Sequence, residues 1–193
     1  AIFPQFYSIF ETQMSEKPTK KLKLWELDRA DEATYKAQAK FPVIVVLDSI
    51  RSLNNIGAFF RTADAFNVQE LVLCGITAQP PHREIHKTAL GATHTVAWRY
   101  AKDLLDALQD LKNTGYAICV VEQAVETTLL HQIHKLDAKG FVLVFGNEVD
   151  GVAQAALDMA DHIIEIPQFG TKHSLNVSVC AGIVLWEFTK RYI

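Results

Sequence analysis

Val43-Ile44-Val45-Val46-Leu47, then Asp48-Ser49-Ile50-Arg51-Ser52-Leu53-Asn54, then Asn55-Ile56-Gly57-Ala58-Phe59-Phe60-Arg61-Thr62-Ala63-Asp64, is the stretch whose reading decides the fold. Five consecutive apolar residues, four of them β-branched, are the pattern of a strand buried on both faces; a half-buried strand would alternate. The period then changes. Ile56, Phe59, Phe60 and Ala63 recur at i, i+3, i+4 and i+7, which places a helix over residues 55–66.

The same alternation continues outward. Towards the carboxy terminus the pattern predicts strands at 71–74, 95–98, 116–121, Phe141–Phe145 and 163–166. Helices are expected at 103–111 and 152–159, with a long one over 174–192, and Pro80-Pro81 opens a polar loop through Lys87. Strands alternating with helices predict an α/β fold, a mostly parallel sheet flanked by helices. Towards the amino terminus, residues 16–40 are polar and carry Lys17, Lys20, Lys21 and Lys23. A short helix is expected there at 31–39, capped by Asp31 or Asp28. The reading therefore divides the chain into an extension, 1–40, and a domain, 41–193. Met14-Ser15-Glu16-Lys17 reads as a natural start, so residues 1–13 are expected not to be native and carry no functional weight.

The bulk properties bound the function. The 193 residues suffice for one domain with a sizeable core, and the 49% hydrophobic and 21% charged content is that of an ordinary globular protein. A formal charge of −3 argues against a highly basic non-specific binder and leaves room for local basic patches. Cys74, Cys119 and Cys180 are far apart in apolar runs, the usage of buried small hydrophobes in a reducing compartment. No apolar run reaches the roughly 18 residues that span a bilayer. The apolar first ten residues have neither a basic flank nor a small-residue cleavage site, so neither signal peptide nor anchor is expected. A cytoplasmic protein with no membrane partner follows.

Polar residues gather after the strands, where open α/β sheets bind ligands. Asn54 or Asn55 can cap the helix that Ile56 begins, and Gly57 allows a close approach to its first turn. Arg61 lies about 140° around that helix from Ile56, off the apolar stripe. A lone arginine there is ordinarily a solvated charge. Gly146 and Gly151 bracket a turn, Phe145-Gly146-Asn147-Glu148-Val149-Asp150-Gly151, in which the peptide groups of Asn147 and Glu148 would be open to a ligand. Glu148 by itself reads as a surface carboxylate. Ser174 is placed to cap the last helix, whose first N–H groups can hold a polar ligand end. That helix, from Leu175 through Trp186, has almost no polar face before Glu187. A helix apolar all round must be covered on all sides. A second subunit is the expected cover for one side; burial within a monomer is the other way to cover it.

Taken together, the segments resemble the SpoU/TrmH family of SPOUT methyltransferases. Asn55-Ile56-Gly57-Ala58-Phe59-Phe60-Arg61-Thr62 is similar to its first motif, Leu143 to Glu148 to its second, and Ile166-Pro167 with Ser174-Leu175-Asn176-Val177-Ser178 to its third. The Lys87-Thr88-Ala89-Leu90-Gly91-Ala92 segment fits between the first two. The resemblance implies a deep trefoil knot in the carboxy-terminal part, against the usual avoidance of knots, and a homodimer through the knot region and the last helix. It implies S-adenosyl-L-methionine held against the backbone of Gly146, Ile166 and Leu175, with no metal. Asn55, Arg61, Glu148, Ser174 and Asn176 match the family's active-site positions. Asp150 stands where a small residue is common and Cys180 where alanine is usual.

The implied reaction is methylation of a ribose 2′-hydroxyl in tRNA or rRNA. A hydroxyl is a poor nucleophile whose proton must be removed or shared. Because guanidinium stays charged, Arg61 is expected to clamp a phosphate and stabilise the developing alkoxide rather than act as a base. Asn55 and Glu148 would hold Arg61 and the ribose, and Ser174 and Asn176 would order the loop. RNA contacts are expected at Lys17 to Lys23, Arg51, the segment His82-Arg83-Glu84-Ile85-His86-Lys87, and Lys172-His173. Two alternatives stand beside this reading: a SPOUT base methyltransferase, and a non-catalytic RNA-binding protein of the same fold. A flavodoxin-like nucleotide binder would need a glycine-rich phosphate loop after the first strand, and there is none.

Overall fold

The computed structural model describes residues 19–193; residues 1–13 and Lys17 lie outside the described residues. Of the described residues, those up to Asp31 belong to one unit and Glu32–Ile193 to a second. In the first, a 3₁₀ turn at Leu24–Glu26 is tied by a Lys20–Glu26 ion pair of 2.6 Å.

The second unit is built on a seven-stranded, wholly parallel sheet. In chain order its strands are β1 (Phe41–Asp48), β2 (Val68–Cys74), β3 (Trp98–Ala101), β4 (Ala117–Val121), β5 (Thr128–Leu129), β6 (Phe141–Phe145) and β7 (His162–Glu165). Their spatial order is β3-β2-β1-β6-β4-β7-β5, so β6 lies between β1 and β4 at the centre. The run that opened the sequence analysis behaves as its β-branching demands. Val43, Val45 and Leu47 face one layer of core, Ile44 and Val46 the other, and all are essentially inaccessible.

The helices are α1 (Glu32–Ala37), α2 (Leu53–Ala65), α3 (Arg83–Ala89), α4 (Ala92–Thr95), α5 (Leu104–Asn113), α6 (Gln154–Met159) and α7 (Val177–Thr189). The first core layer joins the sheet to α2, α3 and α7. Phe59 meets Phe145 edge-on with centroids 5.2 Å apart, and Phe141 meets Phe188 at 5.1 Å. The second layer uses Ala107, Leu108 and Leu111 of α5 and Ala156 of α6. No helix among the described residues is long and apolar enough to cross a membrane.

Four local expectations are corrected. The 80–87 segment is not all loop: His82 takes an extended backbone, accepts the Glu84 N–H on its ring nitrogen at 3.2 Å, and so starts α3 two residues after the prolines. The expected strand at 95–98 begins only at Trp98, because Ala92–Thr95 is the helical turn α4. Ser52, not Asn54 or Asn55, caps α2, its hydroxyl accepting the Asn55 N–H at 3.3 Å. The last helix begins at Val177 and is covered on one side only: Ala181, Val184, Leu185 and Phe188 are buried, while Val179, Ile183 and Trp186 are 53%, 41% and 52% exposed.

Gly57 answers to a close approach, as expected. A Cβ there would collide with the Thr88 hydroxyl and the Ile85 carbonyl oxygen of α3. The helices therefore cross at this glycine, and Thr88 also donates to the Asn54 carbonyl at 3.1 Å.

Candidate active site

Parallel pairing aligns the carboxyl ends of β1, β6, β4 and β7. Leu47 sits beside Phe145, Phe145 beside Val121, and Val121 beside Ile164. The loops leaving these ends enclose a cavity of about 410 Å³. Phe145, Ile164, Ile166, Leu175 and Val177 give its wall an apolar part, and Glu122, Gln123, Asn147, Glu148, Glu165, Gln168, Ser174 and Asn176 a polar one.

At its rim the three motifs meet through side chains. Glu148 accepts the N–H groups of Arg51 and Ser52, each at 3.1 Å, and the side-chain amide of Asn55 at 3.0 Å. Asn55 then accepts from the Asn176 amide at 3.2 Å. Asn176 uses its other end, Oδ1, to cap α7, accepting Ser178 N–H at 3.0 Å, the Ser178 hydroxyl at 2.7 Å and Val179 N–H at 3.4 Å. One hydrogen-bonded chain thus runs from the β6–α6 turn through the first turn of α2 to the cap of α7. Partial burial works against the Glu148 charge, but the N–H of Arg51, the Asn55 amide, its own N–H and that of Ser52 outweigh it. The carboxyl is held below its ordinary 4.5.

The turn of the second motif is anchored from below. Asn147 pairs with Gly151 through reciprocal backbone hydrogen bonds of 3.0 Å, donates its side-chain amide to the Ser49 carbonyl at 2.8 Å, and accepts Val149 N–H at 2.8 Å. The Asn147 N–H is therefore spent on Gly151 rather than open to a ligand. A Cβ on Gly146 would collide with the Gly151–Val152 peptide, so only glycine lets the turn fold back this tightly.

Of the expected residues, Asn55, Glu148 and Asn176 are brought into direct contact, and Gly146, Glu148, Ile166, Ser174, Leu175 and Asn176 line the cavity. Ser174 does not cap α7; it lies two residues before Asn176, which takes that role. Arg61 stands apart. It is exposed on α2, makes no ion pair or side-chain hydrogen bond among the described residues, and lies six residues, roughly 9 Å of helix rise, from Asn55. The expected grip of Glu148 and Asn55 on Arg61 is absent, because both side chains are occupied with Arg51, Ser52 and Asn176.

Sequence reasoning missed Glu122. It follows β4, lines the cavity, and accepts the N–H groups of Gln123 at 2.8 Å and Val152 at 3.2 Å. A carboxylate directly after a buried strand was the available signal. Of the expected basic contacts, Arg51 faces Asp150 at 3.9 Å, and Arg83, Lys87, Lys172 and His173 are exposed. Cys74 and Cys119 are buried free thiols, pushed up to about 12 by burial.

Comparison with known proteins adds to this geometry. The profile described as "SpoU rRNA Methylase family" matches residues 42–186. A Synechocystis protein named as an uncharacterized tRNA/rRNA methyltransferase is 37% identical over 173 residues, 86% of this chain and 42% of that protein. The Neisseria meningitidis 23S rRNA (guanosine-2'-O-)-methyltransferase RlmB is 34% identical over 152 residues, 79% of this chain and 60% of its own. The AdoMet-bound rRNA methyltransferase of Sinorhizobium meliloti superposes with a TM-score of 0.73 at 24% identity, over 84% of this chain and 60% of that one. The chain spans about half the length of the curated relatives it matches.

Proposed function

Because the chain belongs to the SpoU rRNA methylase family, we propose that it transfers the methyl group of S-adenosyl-L-methionine to a ribose 2′-hydroxyl in tRNA or rRNA. One observation carries this reading: hydrogen bonds of 3.0 and 3.2 Å link Glu148, Asn55 and Asn176, joining all three motifs at the rim of one cavity. At about 410 Å³, part apolar and part acidic, the cavity suits a small cationic cofactor. Gly146, Ile166 and Leu175 hold it by their backbone. When bound, it supplies the electrophilic methyl group; the chain's own residues do the rest.

Arg61 clamps the phosphate beside the target ribose and stabilises the alkoxide as the hydroxyl proton passes to a phosphate oxygen or water. Asn55, Glu148 and Asn176 fix the geometry of the three loops around the reacting atoms, and Ser174 orders the last of them. Residues 41–193 are the methyltransferase domain, with a deep trefoil knot in its carboxy-terminal part, and 1–40 an extension. The exposed face of α7, Val179, Ile183 and Trp186, pairs with a second copy to make a homodimer. The reading places the protein in the cytoplasm, with its substrate RNA.

The test is incubation with total RNA and methyl-labelled cofactor, followed by nucleoside mapping. Label on 2′-O-methylribose is expected. Label on a base would replace this reading with base methylation. Failure to bind the cofactor in calorimetry would favour a non-catalytic RNA-binding role.

A further inference from the structure

The charge of the cavity is one-sided. Glu122, Glu148 and Glu165 line it, and among the described residues no lysine, arginine or histidine does. Glu122 and Glu165 leave adjacent strand ends, since Val121 pairs with Ile164 and the Glu122 N–H donates to the Ile164 carbonyl at 3.1 Å. Like charges side by side on neighbouring strands repel. Neither is balanced by a cation: Glu122 accepts only the neutral Gln123 and Val152 N–H groups, and Glu165 the Thr127 hydroxyl at 2.7 Å. No ion pair among the described residues includes either carboxylate. The Glu122 charge is felt on the cavity wall, where burial first, and Glu122 second, push the Cys180 thiol up to about 11.

An uncompensated acidic cavity is best occupied by a cation. The cofactor and its product differ in this respect. When the methyl–sulfur bond breaks and the methyl–oxygen bond forms, sulfur keeps the bonding pair, so a sulfonium becomes a neutral thioether and the hydroxyl proton leaves to solvent or phosphate.

We propose that Glu122, with Glu165 beside it, makes the cavity discriminate by charge, holding the sulfonium cofactor and releasing the thioether product. This rests on the methyltransferase reading above. The two residues act on the bound ligand through their field, and the reaction itself discharges the interaction that retained it.

The test is calorimetric binding of S-adenosylmethionine and S-adenosylhomocysteine to the full chain, as wild type, Glu122→Gln, Glu122→Gln with Glu165→Gln, and Glu126→Gln. Glutamine keeps an acceptor for the Val152 N–H, and Glu126 is an exposed carboxylate that does not line the cavity. The preference for sulfonium over thioether should fall about fivefold per charge removed, the scale of a unit charge several ångströms away in a partly hydrated site. Glu126→Gln should leave it within twofold. An unchanged preference in the Glu122 and double variants, or an equal loss for both ligands, would overturn the proposal while the methyltransferase reading stands. A wild type that binds neither ligand would overturn both.

Discussion

Asn176 joins the cap of α7 to the side chain of Asn55, and the two jobs can be separated by substitution. Asn176→Ala removes the acceptor for Ser178 N–H, Ser178 hydroxyl and Val179 N–H, and with it a cap worth about 1 kcal/mol. It also removes the donor to Asn55, a partly buried hydrogen bond of roughly 1 kcal/mol. The expected loss is about 2 kcal/mol, or some 4–8 °C in Tm for a domain of this size. Asn176→Asp keeps the cap, because a carboxylate oxygen accepts the same donors at the positive end of a helix. It loses only the bond to Asn55, whose carbonyl oxygen then faces an acceptor. Asp should therefore cost about half as much as Ala in urea denaturation at a fixed protein concentration, with unchanged m. It should nonetheless bind S-adenosylhomocysteine, whose neutral sulfur the added carboxylate does not attract, as poorly as Ala, since both uncouple the third motif from the first. If Asp proves as unstable as Ala, the cap is not what Asn176 supplies. If Asp retains wild-type affinity for that thioether, the link to Asn55 has no part in building the site.

Gly57→Ala would gain roughly 1 kcal/mol of helix propensity at an exposed site, but here its methyl meets the Ile85 carbonyl of α3, so a net loss of about 2 kcal/mol is expected; a stabilised variant would show that the helices do not cross so closely. The Glu148 carboxyl is held below 4.5, so its clasp on the Arg51 and Ser52 amides is complete above that pH and is lost as pH falls through its lowered value. Hydrogen exchange at those two amides should show this, and a Glu148→Gln variant with undiminished protection would contradict it. Arg61→Lys keeps the charge but not the planar fork, and turnover should drop about tenfold or more; near-normal turnover would remove the bidentate phosphate clamp. Ile183→Glu with Trp186→Glu places two carboxylates on the open face of α7, and sedimentation should show monomers where the wild type sediments as a dimer. A wild-type monomer would leave that face without its proposed partner.

The core was legible because its code is local. Val43 to Leu47 had to be a strand covered on both faces, and Ile56, Phe59, Phe60 and Ala63 had to be a stripe. The ends of elements are less legible, since capping depends on which of several polar side chains reaches a free N–H: the cap of α2 is Ser52, two residues before Asn54, and Asn176 takes the place expected of Ser174. The α3 helix was hidden by Pro80-Pro81, which bars a helix before it but not two residues after it. At the site, each motif could be recognised, yet not who binds whom. Glu148 was assigned to Arg61 on likeness, and only the folded chain gives it to Arg51, Ser52 and Asn55. Glu122 escaped because it belongs to no motif.

The hydrogen bonds at the rim join residues 93, 96, 97 and 121 positions apart. Loops that long close late, because their entropy must be overcome before any contact rewards it. On the ribosome, the first motif emerges well before the residue that completes its network. The sheet can begin to assemble from β1 and β2, but the rim stays open until Asn176 and the helix it caps are made. The rim should therefore be among the last features a nascent chain completes, and a chain stopped before residue 176 should hold the first two motifs without the bond from Asn176 that joins the third to them.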